Sequence, residues 1–102
     1  MSDEYQIHIP PSFEAVFADG RGRRSVSVAE FRARYELCED MAQMLVEHSQ
    51  AQHHDQGVAQ GVVLQRTQAG LASAESGFSP AEGGWVTTRL AELLGWALPA
   101  GA

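Results

Sequence analysis

From Ser27 to Gln56 the chain reads SVAEFRARYELCEDMAQMLVEHSQAQHHDQ, and Gly57 follows. It is the longest stretch without proline or glycine that carries a helical pattern, and its reading decides the fold. Ser27 and Glu30 have the spacing of a capping box, in which hydroxyl and carboxylate each satisfy an amide that the first turn leaves open. Gly57 suits the other end, because glycine tolerates the left-handed conformation that closes a helix. Val28, Phe31, Tyr35, Cys38, Ala42 and Leu45 recur at alternating steps of three and four, with Leu37, Met41 and Met44 widening the stripe. That period predicts an amphipathic helix over about 28–55 with one buried face. The stripe fades after Val46, so the second half is expected to be wetter and prone to fraying.

At ~1.5 Å per residue this helix would be roughly 40 Å long, against a radius of gyration of about 13 Å for a domain of ~100 residues. It must bend, end early, project, or pack on a second copy. The same spacing fits the core positions of a heptad. The preferred reading is an intramolecular core helix; a two-chain seam is the alternative.

Outward from this helix, Tyr5, Ile7 and Ile9 alternate with polar residues as in a short extended segment, which Pro10 and Pro11 end. Pro11 can open a short helix, with Phe13, Val16 and Phe17 as its apolar face. It is too short to stand alone and is expected to pack on the central helix. On the other side, Val58 to Leu71 has a weaker helical pattern, with Val62, Val63, Leu64, Thr67 and Leu71 towards a core and Gly61 and Gly70 at its ends. A linker of small residues leads to Phe78. Ser79, Pro80 and Glu82 then make a strong helix start, although Gly83 and Gly84 weaken the first turn. Trp85, Val86, Leu90, Leu93 and Leu94 form the apolar face, Gly95 terminates it, and Trp96 and Leu98 fold back. The fold class is all-α. It is a single helical domain over 1–102, with a long central helix, a C-terminal helix over about 80–95 and two shorter ones.

The 102 residues suffice for one domain with a modest core. No apolar run approaches the ~20 residues needed to span a bilayer, and MSDEYQ lacks the form of a signal peptide. A cytoplasmic protein is the expectation. Cys38 is the lone cysteine, which leaves no internal disulfide and no cysteine-rich zinc site. The net charge of −6 argues against general nucleic-acid affinity. The chain has no lysine, and Arg21, Arg23, Arg24, Arg32 and Arg34 crowd into one region of an otherwise acidic sequence. Glycine-rich Asp19 to Arg24 would let backbone approach a ligand, and arginine pairs with carboxylate or phosphate through two parallel hydrogen bonds. These five arginines are the candidate partner-binding residues, against the simpler reading of a solvated loop.

No lysine means no phosphate-binding loop of the Gly-Lys-Ser/Thr kind, and no Gly-x-Ser-x-Gly nucleophile motif is present. The expectation is that the chain is not an enzyme and needs no cofactor. His48, His53, His54 and Asp55 are the candidate metal-binding residues, since imidazole suits several transition metals. Helical ligand pairs, however, stand four apart, whereas His48 and His53 are five apart and His53 and His54 are adjacent. A solvated helix end is the plainer reading. Cys38, Met41 and Met44 could offer soft ligands, but they lie on the apolar face and read as core. Glu39, Asp40 and Glu47 read as a solvated acidic face.

Tyr5 to Phe13 (YQIHIPPSF), Ala33 to Leu45 (ARYELCEDMAQML) and Gly84 to Trp96 (GWVTTRLAELLGW) together resemble a small, uncharacterised group of proteobacterial proteins. Some of that group carry the label "ATPase with chaperone activity". The resemblance brings no catalytic residues with it. Because this chain lacks a nucleotide-binding loop, the resemblance implies a partner ATPase. The functional expectation is a protein-protein interaction module, such as an adaptor or chaperone-like assembly factor, with a homodimer as an open option. The alternative is a metal- or ligand-binding regulatory protein that uses the His48, His53 and His54 region.

Overall fold

A computed structural model describes residues 8–18 and 26–98. Four α-helices follow one another: α1 Pro11–Phe17, α2 Val28–His54, α3 Gln60–Leu71 and α4 Pro80–Leu94, with a 3-10 turn at Ala74–Ser76 before α4. The fold is all-α, with no strand among the described residues. Tyr5 and Ile7 of the expected extended segment, and Arg21, Arg23 and Arg24, lie outside the described residues. The chain packs into two compact units, Met1–Leu37 and Cys38–Ala102, and α2 is continuous through the boundary.

In the first unit, α1 starts on proline, as expected where an amide would be idle anyway. Phe13 is fully buried. Its ring centroid lies 5.6 Å from Phe17, 5.5 Å from Phe31 and 5.3 Å from Tyr35. The Phe17 and Phe31 rings meet edge to face at 5.9 Å, a favoured aromatic geometry. The first turn of α2 is capped where the sequence places the cap, by the Glu30 amide donating to Ser27 Oγ at 3.1 Å.

In the second unit, the remainder of α2 packs with α3 and α4 around Leu64, Leu90 and Ala91, against which Leu45, Val46, Leu94 and Trp96 are half-buried. The α4 cap is complete. Glu82 N donates to Ser79 Oγ at 3.1 Å, and Ser79 N donates to Glu82 Oε1 at 2.9 Å. The helix closes on Gly95 at φ 74°, where the Trp96 amide reaches Ala91 O at 2.9 Å. This is the Schellman arrangement, and it needs a residue that accepts positive φ.

Several expectations change. Gly61 and Gly70 do stand next to the ends of α3, as its second and last-but-one residues, but Val62 faces outward. Gly83 does not loosen α4; it lets α3 come close, since a Cβ there would stand 3.1 Å from Leu71 Cβ. Leu37 and Met44 are exposed and do not widen the buried stripe. Nor does the stripe end at Val46. Ser49 is fully buried, and Gln52 and His53 are half-buried, because the seam geometry continues through these positions although their side chains are polar. Glu39 is not simply solvated. Arg89 of α4 grips it through both oxygens, Nε to Oε1 at 2.9 Å and Nη2 to Oε2 at 3.1 Å.

Candidate functional site

Met41, Leu45, His48 and Gln52 stand at steps of four, three and four, so they share one side of α2. On α3 the lining comes from two pairs four apart, Arg66 with Gly70 and Thr67 with Leu71. Between these two sets lies a pocket of about 330 Å³, near the lower end of the ~300–1,000 Å³ typical of small-molecule sites. Its origin is local. Gly70 brings no side chain to the α3 wall, and a Cβ there would meet nothing within 4 Å.

The walls divide by chemistry. Met41, Leu45 and Leu71 supply apolar surface. His48, Gln52, Arg66 and Thr67 supply polar groups, and among the described residues no acidic side chain lines the pocket. Thr67 Oγ1 donates to Val63 O at 3.0 Å, so its proton is already committed. Arg66 is exposed and has no hydrogen-bond or ion-pair partner among the described residues. Gln52 Nε2 lies 2.6 Å from His48 Nε2, while Gln52 Oε1 is buried without a partner among the described residues. Buried polar atoms are nearly always satisfied, so this amide is an under-used group in the wall.

The Glu39–Arg89 pair is a structural clamp in the same unit. The Arg89 hydrogen bond holds the Glu39 carboxyl below its usual value, although burial pulls the other way. The same bond, to Glu39, raises Arg89. Arg89 Nη1 also reaches Glu92 Oε1 at 3.3 Å.

The residues singled out from sequence are dispersed. Arg32 and Arg34 are half-buried on the early turns of α2, two positions apart and so facing different ways. His48 joins the pocket wall. His53 instead pairs its Nδ1 with Val58 O at 2.8 Å and sets its ring edge-on to Trp96 at 5.2 Å. The His53 and His54 rings are 4.8 Å apart, and Asp55 is exposed in the turn beyond. Among the described residues no three His, Cys, Asp or Glu side chains gather as metal ligands would.

Sequence reasoning missed Arg66, Gln52 and Gly70. The signal was present in the 4-3-4 spacing of Met41, Leu45, His48 and Gln52, and in a glycine one turn after an arginine on the following helix. Among the described residues no helix is long and apolar enough to cross a membrane. Comparison with family models, curated proteins and solved structures finds no match to this chain.

Proposed function

We propose that the chain is a non-enzymatic binding module whose site is the pocket between α2 and α3. The observation that carries this reading is a pocket of about 330 Å³ that joins an apolar surface to a cation, Arg66, with no partner among the described residues. A few polar groups set into apolar walls is the usual form of a small-molecule site. The lack of any catalytic signature in the sequence fits binding rather than turnover.

The test is an amide chemical-shift titration of the whole chain with a panel of small apolar acids, amides and alcohols. Shifts centred on His48, Gln52, Arg66, Thr67 and Leu71 are the expected result. Gly70→Leu is the control. Gly70 is the last residue but one of α3 and a Cβ there meets nothing within 4 Å, so leucine adds volume at the pocket without a clash, and the variant should fold and lose the shifts. No probe shifting the pocket in the wild type, or identical shifts in Gly70→Leu, would overturn the reading.

A protein partner is the second reading, and Met44 favours it. Its side chain is 71% exposed, one turn from Met41 and His48 on α2. An apolar lip beside a pocket is a place where a partner's surface would lie. Under this reading an adaptor would be recovered with one stoichiometric partner. Met44→Asp would abolish that recovery, and release by ATP would identify the partner as an ATPase. Equal recovery with Met44→Asp would remove this surface from the reading.

A further inference from the structure

We infer that the α2–α3 pocket selects a small monocarboxylate with an apolar body, such as a short-chain or arylalkanoic acid. This inference rests on the binding-module reading and adds the chemistry of the ligand. Arg66 is the charged group of the wall, and a guanidinium offers a planar fork of N–H donors that matches a carboxylate with two parallel hydrogen bonds. With no acidic side chain in the lining among the described residues, nothing in the pocket competes for that fork. The chain carries a net charge of −6, so its overall field repels an anion and selection must come from this local cation.

The apolar part of the lining narrows the ligand further. Inorganic phosphate fits less well, because Met41, Leu45 and Leu71 would face its charged oxygens. An alkyl or aryl body covers those three side chains instead and gains from leaving water.

The experiment is a titration of the whole chain with 3-phenylpropionate and with its neutral amide, followed by amide chemical shifts, in wild type and Arg66→Gln. Arg66 is exposed, so the substitution leaves the fold intact. The acid should bind about tenfold or more tighter than the amide, as a charge-assisted hydrogen bond implies. In Arg66→Gln that ratio should fall to about one. Inorganic phosphate should fail to displace the acid. Equal binding of acid and amide in the wild type would end the carboxylate inference and leave the binding module standing. A preference that survives Arg66→Gln, or displacement by phosphate, would end it too. If neither probe shifts the pocket, both readings fall.

Discussion

The two halves of α2 solve the same packing problem with different materials. Before Leu37, the inner face presents Phe31 and Tyr35, and α1 adds Phe13 and Phe17, so large rings fill the available volume. After Cys38, the stripe continues through Ala42, Leu45, Ser49 and Gln52, so Leu45 is the one large apolar side chain among small and polar ones. The second half is buried as effectively at its centre, with Ala42 and Ser49 fully enclosed. Its flank towards α3, however, is left with open volume opposite Gly70. One helix therefore carries a filled stretch and an underfilled one. Function is proposed for the second, because only space with unsatisfied polar groups has something to recognise.

The sharpest way to break this comparison is Phe13→Ala. The side chain is fully buried among three rings, and such truncations cost about 3–5 kcal/mol. Because α1 has only seven residues, it has little helical stability of its own. Hydrogen exchange of the α1 amides should accelerate to the rate of an open chain. Protection retained in α1 would mean that the rings are not what holds the first unit together.

A smaller effect is expected at the clamp between Glu39 and Arg89. The pair is partly exposed, so Arg89→Ala should cost no more than about 1 kcal/mol. The folded-state pKa of Glu39 is depressed, which fixes the sign of the pH dependence. The contribution is complete above the ordinary carboxylate value, near 4.3, and is lost as pH falls through the lower folded value. Denaturant curves of wild type and Arg89→Ala should therefore differ at neutral pH and converge in strong acid. A gap that stays constant with pH would show that Arg89 acts through its packing instead.

The legibility of the sequence follows the same division. Where apolar residues carried the period, the reading was close. α2 was expected over about 28–55 and runs Val28–His54, and α4 was expected over about 80–95 and runs Pro80–Leu94. Capping serines and the terminal Gly95 announced themselves through local chemistry that does not depend on tertiary context. What failed were positions whose role is set by a neighbour. Gly83 reads as a weak helix residue until Leu71 stands against it, and Gly70, rightly read as near a helix end, gives no hint that it lines a pocket with α2 residues. Glu39 looks solvated because its partner is fifty residues away. The pocket was hidden for the same reason, since its polar wall is built from residues that each have an ordinary surface explanation.

Ser49 carries the finest test of the contrast. It is fully buried, and its Oγ has no hydrogen-bond partner among the described residues. A hydroxyl removed from water without compensation is a net cost, roughly 1–3 kcal/mol in protein data, and alanine is also the better helix former by a few tenths of a kcal/mol. Ser49→Ala should therefore raise stability by about 1 kcal/mol and leave the chemical shifts of the α1 amides unchanged. The comparison sharpens if it does, because the second half of α2 then carries a polar group whose cost packing alone does not explain. A loss of stability on Ser49→Ala would mean that the hydroxyl is bonded in solution, to backbone or to a trapped water. Serine would then be a packing choice as specific as the phenylalanines of the first half.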